Sequence, residues 1–259
     1  MSLLPRGRFI GRAFAALTAH PLFVRGNSPA ARRPAVYALG VAALALVGFH
    51  EPAPRIRPKI DRHRGLVAGA SLNGYRIGTY VAEHLTEFHD RPEGFVEVWS
   101  GDVDLMVSDH FRLGDFITHD TQDAVWPKYV ALHPRLLDKL ELVLSTIEAR
   151  TKVAVDSAAV DEVAFDVHSG FRTPDHNRGV PLAARDSRHQ YGDAADLAID
   201  ADGDGRVTLK DELLVAQAVE EVEAEHPELV GGLGLYTSRR YATPYVHIDA
   251  RGIRSRWTG

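Results

Sequence analysis

The stretch Ser187-Arg-His-Gln-Tyr-Gly-Asp-Ala-Ala-Asp196, answered near the C-terminus by Tyr245-Val-His-Ile-Asp249, constrains this chain more than any other feature. It supplies a histidine, an aspartate seven positions on, and a distant second histidine. Two imidazoles and one carboxylate are the ligand set of a catalytic zinc ion, which holds three protein ligands and leaves a fourth position open. His189, Asp196 and His247 are therefore the candidate ligands. Gly192 allows the turn that brings His189 back toward the next segment. Ala194 to Ile199 then reads as a buried strand that carries Asp196 inward on a fixed backbone. The chain has no cysteine, which excludes a Cys-rich structural zinc site.

A lone histidine and aspartate among 13 histidines and 35 acidic residues would carry little weight. Here a serine stands two before the histidine, a glycine three after it, and small residues lead into the aspartate. Ser169-Gly-Phe-Arg-Thr-Pro174 lies just upstream. Together these resemble the M15-type zinc peptidases, the D-Ala-D-Ala carboxypeptidase and murein endopeptidase group, whose metal site is shared with lysostaphin and hedgehog-like folds. The group's pattern Ser-x-His-x-x-Gly-x-Ala-x-Asp is complete at Ser187, His189, Gly192, Ala194 and Asp196, and the resemblance covers residues 105–257. It implies an α+β fold, a small antiparallel sheet flanked by helices. In that group the arginine matching Arg172 faces the metal. An arginine there can bind a substrate carboxylate through two parallel hydrogen bonds, or stabilise an oxyanion. Ser187 and Tyr245 join Arg172 as expected substrate-binding residues.

A chain of 259 residues is long enough for one substantial domain plus extras. A hydrophobic content of 45% suffices for a core, and a net charge of −5 gives no footprint for nucleic acid. The absence of cysteine suits either the cytosol or an oxidising envelope. The N-terminus is more informative. Residues 1–33 hold six arginines and no acidic residue or lysine, a basic cytoplasmic leader by the positive-inside tendency. Residues 34–50 contain Ala35 to Phe49, fifteen residues without a charge, read as a membrane anchor or a signal segment. Residues 51–66, rich in Pro and Arg, read as an extended linker. These features predict a bacterial envelope protein, periplasmic or extracellular, tethered to the cytoplasmic membrane.

Residues 67–104 read as a small β module, with short strands near Leu66, Asn73 to Tyr80 and Gly94 to Trp99. The main domain, 105–259, opens with Val107-Ser-Asp-His-Phe-Arg-Leu-Gly-Asp-Phe116, similar to the segment before the catalytic core of M15-like envelope proteins. His110 within it lacks paired spacing and reads as structural. Pro134 to Glu148 predicts an amphipathic helix with Leu136, Leu140, Val143 and Ile147 as a core stripe. Val163 to Val167 alternates as a strand and delivers Ser169 to Arg172. His168 reads as structural, and His176 and Asn177 as the start of a helix or the lining of a cleft.

Asp200-Ala-Asp-Gly-Asp-Gly-Arg-Val-Thr-Leu-Lys-Asp211 is a second metal pattern. Asp200, Asp202 and Asp204 stand at loop positions 1, 3 and 5, Gly205 at the turn, the carbonyl of Arg206 at 7 and Asp211 at 12. Position 12 of an EF-hand is usually Glu, and Glu212 comes one residue late; the Asp resembles a dockerin-type loop. Calcium here would brace the strand holding Asp196, a structural role. A solvated acidic turn is the alternative. The following helix, Leu209 to Glu225, predicts a buried stripe at Leu213, Leu214, Ala218 and Val222.

Val230 to Tyr236 is Gly-rich but lacks the strand-turn-helix context of a nucleotide loop. His247, Asp249, Gly252, Arg254 or Arg256, and Trp257 repeat the closing pattern of murein-endopeptidase-type proteins. The resemblance implies hydrolysis of peptidoglycan stem or cross-link peptides, zinc activating the water and polarising the carbonyl. Better-known members carry an acid three before the last ligand histidine, and this chain has Pro244 there. Asp249 is the candidate base, or instead a partner that orients His247. The departure at Pro244 keeps a non-catalytic, metal-braced, membrane-tethered wall-binding protein as the rival.

Overall fold

Alternation of apolar and polar positions puts one face of the C-terminal strands into a core and leaves the other for chemistry. The structure, a computed structural model, describes residues 60–61, 70–80, 92, 94–155, 163–237 and 243–259. The leader 1–33, the apolar segment 34–50, most of the linker and parts of 67–104 lie outside the described residues. Among the described residues, no helix is long and apolar enough to cross a membrane.

The elements in chain order are β1 (Ile60–Asp61), β2 (Ser71–Leu72), β3 (Tyr75–Arg76), β4 (Phe95–Val98), β5 (Lys128–Val130), α1 (Pro134–Val155), β6 (Phe165–Ser169), α2 (Pro174–Asn177), β7 (Ala194–Ile199), α3 (Leu209–Glu225), β8 (Gly232–Tyr236), β9 (Tyr245–Asp249) and β10 (Ser255–Thr258). The architecture is α+β. A five-stranded sheet runs β10-β8-β9-β7-β6, antiparallel except for the β10–β8 edge pair. A three-stranded antiparallel sheet runs β1-β4-β5. β2 and β3 form a hairpin across Asn73-Gly74, both at positive φ, the pair that a two-residue turn of this twist favours.

The sequence reading separates residues 67–104 from the domain that follows. In the structure Val96 pairs with Val130, so strand pairing runs across that boundary. Phe95 and Phe171 pack edge to face at 5.9 Å, joining the small sheet to the end of β6. Apolar residues on both sides of residue 104 enter one core, because neither sheet alone can cover its apolar face.

Helix α1 buries Leu136, Leu140, Val143, Leu144 and Ile147 as its spacing predicts. Each such side chain contributes about 1.5–3 kcal/mol on burial. Helix α3 packs on α1 and on β7, β8 and β9. Its buried stripe is Val215, Ala218, Val219 and Val222, while Leu213 is exposed and Leu214 only partly buried. Ala218 and Val222 are buried as predicted, while Val215 and Val219 complete the stripe in place of Leu213. Thr208 caps α3 in a reciprocal pair with Asp211. Strand β7 is buried along its whole length, and α3 packs on it.

Candidate metal centre

Register brings the predicted ligands together. Asp196 on β7 pairs with His247 on β9, and Ser169 on β6 pairs with Asp196. His189 arrives from the 3-10 turn Arg188–Tyr191, which Gly192 ends at φ 74°. A side chain at Gly192 would meet the Ala131 carbonyl at 2.4 Å, so the turn needs glycine for space as well as for conformation.

Three atoms converge. His189 Nε2 lies 3.1 Å from Asp196 Oδ1 and 3.1 Å from His247 Nδ1, and His247 Nδ1 lies 2.9 Å from Asp196 Oδ1. All three residues are buried and could hold a metal ion. The outer nitrogen of each ring decides what the inner one offers. His189 Nδ1 donates to the Gly170 carbonyl at 2.7 Å, and His247 Nε2 donates to Asp249 Oδ2 at 3.1 Å. Both acceptors can only accept, so in the neutral rings both inner nitrogens present lone pairs toward an ionised carboxylate. A tetrahedral ion with bonds of about 2.0–2.1 Å spaces its ligand atoms by about 3.3 Å, so the trio fits with a small opening.

Burial lowers His247, but hydrogen bonds to Asp196 and Asp249 outweigh it and raise its pKa to about 9. Burial holds His189 below its ordinary value. Burial opposes the charge on Asp196, yet the facing histidines hold its carboxyl well below the usual range.

Arg172 turns to the centre, its Nη2 on Asp196 Oδ2 at 2.6 Å and its Nε on Ser169 Oγ at 2.8 Å. Two of its donors are therefore taken by the protein. Ser187 caps the turn carrying His189 and makes no side-chain capping bond. Tyr245 is half-buried, stacked on Tyr236 at 4.6 Å with His168 at its other side, 5.7 Å away.

Asp249 does not stand where a base is needed. It is fully buried behind His247, accepting from Gly232 N at 2.7 Å, Arg251 N at 3.1 Å and Arg251 Nε at 2.9 Å. Burial works against its charge, while His247 and Arg251 hold it far below the carboxylate range. A carboxylate so saturated is a poor proton acceptor, and the orienting role is the one its geometry supports. His110 sits between Glu141 and Glu148 of α1, away from the centre. The Gly170 carbonyl is the functional group that sequence reading missed. Its signal was the glycine itself, whose added Cβ would meet Phe116 Cα at 2.6 Å.

Asp200, Asp202 and Asp204 form a second group able to hold a cation. Gly203 and Gly205 turn at φ 73° and 84°, and Arg206 N donates to Asp204 Oδ1 at 2.9 Å. Asp211 is not among them. Its Oδ1 accepts from Ala201 N and Asp202 N at 2.9 and 3.1 Å, and its Oδ2 from Thr208 N and Oγ1 at 2.8 Å each. It closes the loop and caps α3 instead of joining the carboxylate cluster. Exposed Lys210 reaches Asp202 Oδ2 at 2.6 Å.

No known protein family, curated protein or solved structure matches this chain. The functional reading therefore rests on the residues themselves.

Proposed function

We propose that this chain is a zinc-dependent peptidase of the M15 type that acts on stem or cross-link peptides of peptidoglycan. The convergence of three lone-pair atoms, each outer partner fixed, is the observation that carries the reading. Bound zinc would supply the Lewis acidity that activates water and polarises a peptide carbonyl. His189, Asp196 and His247 would hold it, and Arg172, hydrogen-bonded to Asp196, would set a positive charge beside it that could stabilise an oxyanion. Tyr245 and Ser187 border the approach of the substrate. Asp200, Asp202 and Asp204, with the Arg206 carbonyl, would hold calcium, which would brace the end of β7. The basic leader and the apolar segment 34–50 support a tether in the cytoplasmic membrane, with the domain facing the wall.

One observation favours a second reading. Pro244 stands where those peptidases carry an acid, and Asp249 is saturated. A membrane-tethered protein that binds the wall without cutting it also fits this pair of facts.

Zinc-loaded full chain incubated with purified peptidoglycan separates the two. New amine termini in the released fragments, lost in His189→Ala, Asp196→Ala and His247→Ala, support the peptidase. Wall that binds the zinc-loaded protein and stays uncut overturns it in favour of the second reading.

A further inference from the structure

We propose that Arg251 is the positioning residue that commits His247 to binding the metal through Nδ1. The inference rests on the metal centre described above, not on hydrolysis. The two histidines present opposite nitrogens, Nε2 from His189 and Nδ1 from His247. Which nitrogen of an imidazole binds a metal follows from the hydrogen bond that the other one makes. For His189 that partner is a main-chain carbonyl, fixed by the fold. For His247 it is the side chain of Asp249, which must itself be held.

Arg251 holds it from two positions along the chain. Its Nε lies 2.9 Å from both Asp249 oxygens, its Nη2 lies 2.5 Å from Oδ2, and its own N–H reaches Oδ1 at 3.1 Å. Gly232 makes room, since a Cβ there would meet Asp249 Oδ2 at 2.2 Å and Arg251 Nη2 at 3.0 Å. The guanidinium also lies 5.6 Å from the Trp257 ring, which flanks His247 at 5.2 Å and donates Nε1–H to Tyr236 Oη at 3.0 Å. Arg251 therefore touches both neighbours of the His247 ring, the carboxylate at Nε2 and the indole beside it. Without the fork, the carboxylate can rotate away from Nε2, and the ring is free to carry its proton on Nδ1, where the metal belongs.

The test compares the full chain with Arg251→Gln, Arg251→Lys and a control, Arg254→Gln, which removes a surface contact to Glu220. Zinc affinity is measured by competition with a chromogenic chelator, and the His247 Nε2–H signal by nitrogen-edited NMR of the zinc-loaded, histidine-labelled protein. Arg251→Gln is expected to bind zinc about 10- to 100-fold more weakly and to lose the Nε2–H signal. Arg251→Lys falls between, since it keeps the charge without the fork, and Arg254→Gln behaves as the parent. Parent-like affinity in Arg251→Gln overturns the proposal, and so does weakened zinc with the Nε2–H signal intact, which marks a general loosening. Should Arg251→Gln fail to fold, Arg251→Lys decides on the same two readouts. A parent protein that binds zinc but cuts no peptide leaves this inference standing, whereas a parent that binds no zinc removes the centre itself.

Discussion

Against the pull of burial, hydrogen bonds to Asp196 and Asp249 raise the pKa of His247 to about 9, which favours the imidazolium form of the ring. Its folded value lies above the unfolded one of about 6.5. The metal-free protein therefore holds stability from this group that is complete below about pH 6.5 and lost as the pH rises through about 9. A zinc ion bound through Nδ1 would have to displace that proton. Zinc binding at pH 7.5 should release close to one proton, and the apparent affinity should rise about tenfold per pH unit between 7 and 9. Calorimetry in buffers of different ionisation heat measures both, and an affinity flat across that range contradicts the assignment. Glu212 shifts stability with pH in the same direction, but because burial opposes its charge. It is 1% exposed, neither oxygen has a partner among the described residues, and burial pushes its pKa up to about 7. The penalty is absent below about pH 4.5 and complete above about 7, so Glu212→Gln should stabilise the protein at pH 8 by about 1–3 kcal/mol and change little at pH 4.5. Equal denaturation midpoints at pH 8 would sink this reading.

The loop from Asp200 to Asp211 acts as an element that joins β7 to α3. Gly205 N donates to Asp200 Oδ2 at 2.8 Å and Asp204 N to Asp200 Oδ1 at 3.1 Å, so the turn is already folded around its first carboxylate. Three carboxylates in five residues repel one another, and a divalent cation removes that repulsion while adding ligand bonds. Binding to the native state alone stabilises by about 2.7 kcal/mol at a hundredfold excess over the dissociation constant. Millimolar calcium should raise the melting temperature, and Asp200→Ala with Asp204→Ala should eliminate the shift and weaken zinc retention through β7. Because Asp211 caps α3, Asp211→Asn should cost stability with or without calcium, by about 1 kcal/mol. A calcium shift that survives the double substitution would place the ion elsewhere.

At the scale of the whole molecule, a buried polar network ties both long helices to the sheet edge. Lys139 of α1 is fully buried and donates to Glu223 Oε1 and to the Asp249 carbonyl, at 2.7 Å each. Arg256 on β10 reaches Glu223 Oε2 at 2.5 Å, and Gly231 N reaches Glu223 Oε1 at 3.0 Å. The network meets the metal centre at Asp249, directly behind His247. Removing one partner of a buried pair leaves an uncompensated charge, which costs about 3–5 kcal/mol. Lys139→Met should lower stability by that order in urea denaturation and also loosen zinc. Lys139→Met with Glu223→Leu should recover much of the loss. A single variant as stable as the parent would show that Arg256 alone satisfies Glu223.

Residue identities and spacing made the ligand trio legible, because a carboxylate inside an apolar strand and histidines at set distances are local signals. The core stripe of α1 was legible for the same reason, since helical recurrence survives without knowledge of the partner. The stripe of α3 was legible at Ala218 and Val222 but not at Leu213, because Leu213 and Val215 are both apolar and only packing against α1 and β7 chooses between the faces they occupy. The role of Asp249 could not be read from Tyr245 to Asp249, where alternation places it beside His247 for either task. Its saturation by Arg251 and Gly232 arises from a turn and from a neighbouring strand, contacts that tertiary structure alone creates. Asp211 followed the same rule, since its oxygens were claimed by main-chain donors that only the folded loop brings near. The sequence thus determined which groups could meet a metal. The tertiary structure decided which lone pairs remained to do so, because hydrogen-bond partners close in space need not be close in the chain.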